Sequence, residues 1–383
     1  MVKKERWQTH LKDISFKNIP TIENCYSFLG TGAFISKEEN IDGTDIVTFS
    51  YRLANYGDFN VEFARNLRGI TFNKKTGEIL TLPFHKFFNF NECPFSEFEN
   101  IKNKKIVKVR EKADGSLIQF FMINNNLYSK TKMTCFSEQS AWAMEIINRN
   151  ENLKKEIVNK IQAGFSPLFE FVSPRNRIVI SYSIEELIYL GSRNNSTGEY
   201  DFEPLENCKN IYCYDVKEDI NEVAEIVNNF EDKEGVVVVF EDGDMVKIKT
   251  KDYILLHKTK DNVLNENSLV ELIITEKLDD IKSLFSEDEN MIKYVNSMEQ
   301  IVKTEYNYYI NEAEKFYFSN KNLSRKDFAI KGQKELNKAI FSLAINLYAK
   351  NEIDYVKYNY KFISDKLWKK EDFSLTFIDK EDI

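Results

Sequence analysis

Proline and glycine are scarce, with 6 and 13 in 383 residues, too few for a collagen-like, linker-rich or low-complexity chain. Cysteine is scarcer: Cys25, Cys93, Cys135, Cys208 and Cys213 are odd in number and hold no Cys-x-x-Cys pair, so neither a disulfide framework nor a zinc site is indicated. The three histidines, His10, His85 and His257, are not spaced as metal ligands, which disfavours chemistry built on histidine clusters. No apolar run reaches the length that crosses a bilayer, and the opening MVKKERWQTH has no signal-peptide core. A soluble protein acting in the cytoplasm, without a membrane partner, is the expectation. Positive charge is also in deficit: the net charge of −8 argues against a protein that coats nucleic acid by bulk attraction.

What remains is a chain with 42% hydrophobic and 30% charged residues, the balance of a folded globular protein. Its length exceeds what one core usually supports, so two domains are expected. From roughly residue 45 to 255, short β-branched and aromatic runs alternate with helical patterns. ILTLPFHKFFNF, KIVKVREK, SLIQFFMI, LYSKTK, LFEFVS, RIVISY, LIYLGSR and GVVVVF read as strands. Asn124-Asn125-Asn126 and Asp242-Gly243-Asp244 connect such runs as tight hairpin turns. Ser137–Ile161 and Ile220–Phe230 carry helical periodicity. Beyond about Lys260 strand signals vanish and amphipathic segments such as SLVELIITEKLDDIKSLF and KELNKAIFSLAINLYAK dominate. The expected architecture is α+β: an antiparallel-sheet domain over residues 1–258, then an all-helical domain over 259–383.

The chemistry concentrates in a few charged residues that sit awkwardly inside apolar strands. Lys112-Ala113-Asp114-Gly115-Ser116 falls between two strands; its plain reading is a hairpin with Asp-Gly in the turn, its functional reading a lysine nucleophile at a strand end. Glu170 is embedded in LFEFV, where a lone carboxylate is costly unless it meets a cation, a metal or a hydroxyl. Glu234-Gly235 opens the run VVVVF, and Lys247-Ile248-Lys249 places two lysines on one face of a strand. Lysine attacks phosphorus only as the neutral amine, which desolvation or neighbouring cations favour. Lys247 and Lys249 would also neutralise a triphosphate, while Glu170 and Glu234 would accept from a ribose or touch a divalent ion. Lysine, two carboxylates and two further lysines in this order suit nucleotidyl transfer.

These residues resemble the nucleotidyltransferase superfamily of ligases and capping enzymes, and within it the bacteriophage RNA ligase 1 family, which repairs broken tRNA. Ser116 follows the Gly as in that family, and Leu117 stands where DNA ligases usually carry Arg. Arg68-Gly69-Ile70 and Lys86-Phe87-Phe88-Asn89 resemble the upstream elements; the resemblance implies phosphate contacts for Arg68 and Lys86, Phe88 in the nucleotide pocket and Tyr51 near the nucleotide. Packing in a core is the alternative for the two aromatics. Lys130-Thr131-Lys132 is similar to the Lys-Ser-Lys element, with Lys132 the functional lysine. Phe169-Glu170-Phe171-Val172, then Pro174 and Asn176-Arg177-Ile178-Val179, resembles the central motif, and Tyr253 falls where the family has a tyrosine linked to sealing. In LDDIKSLF, Asp279 and Asp280 are candidate metal contacts, with favourable charge at a helix start as the alternative.

The resemblance implies an ATP-dependent RNA ligase with Mg²⁺ or Mn²⁺: lysyl-AMP forms on Lys112, AMP passes to an RNA 5′-phosphate, and a 3′-hydroxyl displaces AMP. Implied partners are RNA carrying those two ends, a cleaved tRNA among the candidates, and a kinase-phosphatase that prepares them. The alternatives are a GTP-using capping enzyme, against which the helical tail argues, and an inactive RNA-end-binding protein of the same fold.

Overall fold

In the computed structural model, described residues are 15–30, 32–176, 180–250, 253, 266–279, 282, 289–349 and 353. The chain divides into two compact units, Met1–His257 and Lys258–Ile383.

The first unit is built from β1 (Phe34–Ile41), β2 (Thr44–Tyr51), β3 (Ile70–Asn73), β4 (Ile79–Thr81), β5 (Phe88–Asn89), β6 (Ile106–Lys112), β7 (Ser116–Ile123) and β8 (Asn126–Lys130). Then follow β9 (Phe165–Val172), β10 (Glu186–Asn194), β11 (Tyr200–Asp201), β12 (Lys209–Asn210), β13 (Cys213–Tyr214), β14 (Gly235–Phe240) and β15 (Met245–Lys249). They form three sheets, in the orders β1-β2-β3-β4, β11-β10-β9-β7-β8 with β12 beside β10, and β13-β6-β14-β15-β5. Pairing is antiparallel except for β12 on β10 and β5 on β15.

Side-chain alternation decides which faces are covered. On β9, Phe169 and Phe171 join Ile118 and Phe120 of β7 beneath the helices Glu138–Asn148 and Glu151–Gln162, through Ala143, Ile147, Leu153 and Ile157. On the third sheet, Val236, Val238, Val246 and Ile248 pack with Ile220, Val223 and Val227 of the helix Ile220–Val227. The opposite faces meet each other: Leu168 and Leu117 from the second sheet cluster with Val237, Val239 and Met245 from the third. The run Lys112–Ser116 passes from β6 in the third sheet to β7 in the second, so the nucleophile motif crosses between the two sheets.

Several sequence expectations need correction. ILTLPFHKFFNF is not one strand: β4 ends at Thr81 and β5 holds Phe88–Asn89, because Pro83 has no N–H to give a ladder and the chain passes from the first sheet to the third. Of RIVISY, residues 177–179 lie outside the described residues and 180–182 form no strand. The expected helix over 137–161 is two, since Asn150 accepts from Leu153 N and starts a new one. β1 lies before residue 45 because its FISKEENI carries too much charge to read as a strand.

The second unit is helical throughout its described elements: Glu266–Ile274, Glu289–Asn320, Arg325–Glu335 and Lys338–Tyr348. Leu269, Val270, Val302, Tyr306, Ile310, Phe328, Leu343 and Ala344 are buried. The two long segments expected there are each interrupted, one by Glu276 in the left-handed region at φ 60°, the other by Asn337, whose side chain accepts from Ile340 N as a cap. In both, a local backbone event overrides a continuous apolar stripe.

Candidate active site

Register places the charged residues in rows across the third sheet. Lys112 on β6 pairs with Gly235 on β14, and Gly235 with Lys249 on β15. One step along, Arg110, Val237 and Lys247 form the next row on the same face. Gly235 lies at φ 151°, and a Cβ there would stand 2.0 Å from Ile248 O, so the centre of the lysine row must be bare. A cleft of about 260 Å³ opens over this face, lined by Arg68, Lys112, Gly115 and Glu170 and continuing past Phe84, Phe87, Leu190, Ile211 and Met245.

Glu234, only 3% exposed, binds both ends of the lysine row: Lys112 Nζ is 2.7 Å from its Oε2 and Lys249 Nζ 3.0 Å from its Oε1. Oε2 has no directed hydrogen bond, so the Lys112 contact is an ion pair of loose angle. Burial raises the Glu234 carboxyl, and the charges of Lys112 and Lys249 outweigh it, holding the group below its ordinary range. Glu170 is in the opposite balance. Burial in the cleft wall pushes it up to about 8, against the pull of Lys112 and with the repulsion of Glu234. Two carboxyl groups near one lysine are therefore kept in different protonation states at neutral pH.

The nucleophile motif is held at close quarters. Gly115 N donates to Glu170 Oε1 at 3.1 Å, and a Cβ on Gly115 would meet Phe171 O at 2.3 Å. Asp114 is buried and accepts from Ile180 N at 2.7 Å and from the Tyr253 hydroxyl at 2.9 Å. Its own N–H donates to Tyr182 Oη. Ser116 Oγ accepts from Asn176 Nδ2 at 3.1 Å. Tyr253 is 3% exposed and its ring centroid lies 4.8 Å from Lys249 Nζ.

The remaining expected residues form a second group around Tyr51 of β2. Lys132 Nζ lies 3.8 Å from the Tyr51 ring centroid, and Lys86 Nζ sits 5.4 Å from Tyr51 and 4.9 Å from Phe88. Phe88, expected in the nucleotide pocket, is 2% exposed in the core around the first sheet and stacked on Phe95, while Phe87 lines the cleft. Lys130 ties the two groups together, its buried Nζ donating to Gly69 O at 3.2 Å and Lys132 O at 3.1 Å. Burial draws that amine down to about 8. Beside it, Arg68 lines the cleft; its Nη1 is buried and has no hydrogen-bond partner among the described residues.

Asp279 belongs to the second unit and is half-buried, while Asp280, like Arg177, lies outside the described residues. Among the described residues, no three His, Cys, Asp or Glu side chains gather as a metal cage, so nothing in the second unit supports the expected contact. Sequence reasoning passed over Phe87, Arg110 and Lys130. The alternation signal was present for Arg110, two places before Lys112, but buried lysine and arginine are recognisable only once neighbours are known.

A family model described as RNA ligase matches residues 66–264, and one described as the T4 RNA ligase 1 C-terminal domain matches residues 260–373. A candidate RNA ligase of Thermovibrio ammonificans is 30% identical over 311 residues, covering 77% of this chain and 80% of that protein. A candidate bifunctional polynucleotide kinase/RNA ligase of Autographa californica nuclear polyhedrosis virus is 28% identical over 254 residues, 60% of this chain and 36% of its own. RNA ligase 1 of bacteriophage TS2126 is 25% identical over 187 residues, 47% of each. With matches running from the cleft's Arg68 through the helical unit, the chain belongs to the RNA ligase family typified by T4 RNA ligase 1.

Proposed function

We propose that this RNA ligase seals RNA by three transfers at one cleft, and that the observation carrying this reading is the Lys112–Glu234–Lys249 row beside Glu170. Lys112 Nζ attacks the α-phosphorus of ATP; an N–P bond forms, the bond to pyrophosphate breaks, and the amine proton passes to the adjoining Glu234 carboxylate or to solvent. Arg68, Lys247 and Lys249 bind the phosphate charge. Glu170, neutral in the resting cleft, both accepts from Gly115 N and is placed to bond a ribose hydroxyl. Lys86, Lys132 and Tyr51 supply charge and an aromatic face at the neighbouring group, for the leaving phosphates or the RNA end. Tyr253, through Asp114, holds the motif's turn while AMP moves to the RNA 5′-phosphate and a 3′-hydroxyl displaces it.

Mg²⁺ or Mn²⁺ would be carried on the nucleotide phosphates and would neutralise charge on the leaving group; Glu170 would touch it only after giving up the proton that burial holds on it in the resting cleft. Residues 1–258 would then be the adenylyltransferase domain and 259–383 a domain that selects RNA, cleaved tRNA included. A relative that is named for both kinase and ligase supports a separate end-healing kinase-phosphatase as partner, acting with this chain in the cytoplasm. No helix among the described residues is long and apolar enough to cross a membrane.

The test is incubation with ATP or GTP labelled at the α-phosphate, with Mg²⁺, followed by denaturation. Label from ATP retained on the wild type and lost in Lys112→Ala is expected. Absence of label, in protein whose intact mass shows no AMP already attached, overturns the reading in favour of an RNA-end-binding protein.

A further inference from the structure

The loop that leaves β8 is pinned along its length and yet holds an apolar ring out in solvent. Phe136 is 66% exposed, the most exposed large apolar side chain among the described residues. Around it the backbone is tied down: Thr131 N donates to Thr134 O at 3.0 Å, Phe136 N to Thr134 Oγ1 at 3.2 Å and Cys135 N to Glu39 Oε2 at 3.2 Å. Lys37 Nζ donates to Thr134 Oγ1 at 2.9 Å, and that hydroxyl donates to Glu39 Oε1. Glu39 is itself buried in β1. Ser137 then caps the helix Glu138–Asn148.

This loop joins the two groups of the site. At its start, Lys132 faces the Tyr51 ring and its carbonyl accepts from Lys130. Just past its end, Gln139 Nε2 donates to Asn176 Oδ1 at 3.3 Å, and Asn176 Nδ2 donates to Ser116 Oγ of the nucleophile motif. Four residues of chain separate Phe136 from Lys132, a span of at most about 14 Å. The ring also borders a pocket of about 270 Å³ whose apolar wall is Ile41, Tyr128, Ala141 and Met144.

An unpinned loop would fold its phenylalanine inward. Hydrogen bonds to a buried carboxylate instead hold this ring in water, so its ordering cost is met before any ligand arrives. A flat apolar face, preorganised and close to lysines in a chain of net charge −8, has the composition of a single-strand stacking platform, which any base satisfies through its π-face. A protein partner would need a contiguous apolar patch, whereas Lys132, Ser137 and Glu138 near the ring in the chain are polar.

We propose that Phe136 is an RNA-binding residue on which one unpaired base of the RNA ends stacks. The inference rests on the RNA-joining reading given above and adds to it a surface that holds the strand.

The experiment joins two single-stranded RNAs, one with a 5′-phosphate and one with a 3′-hydroxyl, with a single abasic nucleotide moved through successive positions on either side of the joint. Sealing below RNA saturation is divided by lysyl-AMP formation in the same preparation, for wild type, Phe136→Ala, Phe136→Leu and Phe136→Tyr. The wild type is expected to lose about fivefold to a hundredfold at one position, as one base stack disappears. Phe136→Ala should show a similar loss on intact RNA, through KM for RNA, and no further loss at that abasic position. Phe136→Leu, apolar but not flat, should behave as the alanine variant does, and Phe136→Tyr as the wild type. Wild-type sealing that tolerates every abasic position, or a penalty that survives in Phe136→Ala, overturns the inference while leaving the ligase reading intact. An unaltered ratio in Phe136→Ala together with a changed sedimentation coefficient overturns it in favour of a contact between copies of this chain. Wild-type protein, shown to be free of AMP, that forms no lysyl-AMP overturns both. If Phe136→Ala does not melt cooperatively, Phe136→Leu is judged by the same outcomes.

Discussion

Glu234 and Asp244 mark the two ends of one hairpin, each just before a strand, β14 and β15, and each is a buried carboxylate ringed by cations. Their surroundings differ in one respect. Asp244 takes Arg65 Nη2 at 2.6 Å, Lys104 Nζ at 3.0 Å and His85 Nε2 at 3.1 Å, and these partners are themselves committed: Arg65 Nε donates to Lys86 O and His85 Nδ1 pairs with Tyr200 Oη. Burial opposes the ionised form of Asp244, yet Arg65 and the other donors hold the carboxyl well below its ordinary range. Lys104, 28% exposed, is also held by Asp242 at 2.8 Å; Glu234 instead meets Lys112, 25% exposed at the wall of a cleft and with no second ion pair among the described residues. A buried ion cluster is thus no sign of chemistry in itself. What separates a reactive cluster from a structural one is a cation with an open side and no second anchor.

The sharpest break of this comparison is Lys112→Ala, which should lower lysyl-AMP formation by at least about a thousandfold while the urea midpoint hardly moves. Asp244→Ala should do the reverse. It leaves Arg65 and Lys104 without their shared carboxylate and is expected to cost about 3–5 kcal/mol of stability in urea unfolding, with adenylation per folded molecule retained; a loss of adenylation at unchanged stability would place Asp244 in the chemistry. Glu234→Gln lies between, since its lysines can turn to solvent: about 1–3 kcal/mol of stability and a tenfold to hundredfold slower adenylation, of order 1.4–2.7 kcal/mol, by single-turnover label transfer.

Per pH unit, proton linkage gives the smallest effects, and it distinguishes the two ends by sign. Burial and Arg65 bring His85 down to about 3 from 6.5, so the unfolded chain binds the extra proton between those values. Its contribution to stability is present above pH 6.5 and lost as pH falls toward 3, with a slope of at most about 1.4 kcal/mol per pH unit. Glu170 is raised from 4.5 to about 8, so the folded chain binds the extra proton. That contribution is present below pH 4.5 and lost as pH rises through 8. His85→Gln should flatten the acid limb of a stability-versus-pH curve, and Glu170→Gln the limb between 4.5 and 8; unchanged curves would show that neither group is buried as described.

Much of the cleft's chemistry was legible along the strands, because alternation in β15 and the embedded glutamate in β9 are local signals that burial makes expensive to ignore. That Lys112, Glu234 and Lys249 come together, with Lys247 one row on, follows from order and spacing along the strands. Adjacent residues of an extended chain face opposite ways, so two phenylalanines in succession offer no clue to which one lines the cleft, as Phe87 does, and which one joins the core, as Phe88 does. Arg110 stayed hidden among neighbouring lysines, since the Phe202 ring, 4.4 Å from its guanidinium carbon, is ninety-two positions away by number. Helix ends in Ser137–Ile161 and KELNKAIFSLAINLYAK were missed where an asparagine cap outweighs apolar periodicity.

The amino-acid order by itself determined the α+β character of the first part, the helical texture after residue 260 and the set of charged groups that transfer chemistry requires, because period-two and helical patterns, turn residues and misplaced charges are written within a few residues of one another. Tertiary structure alone decided which carboxylate meets which cation, which end of the β14–β15 hairpin is open, and that Glu170 is neutral beside an ionised Glu234. Those outcomes depend on burial and on distances between strands far apart in the chain, and electrostatic energies change with both.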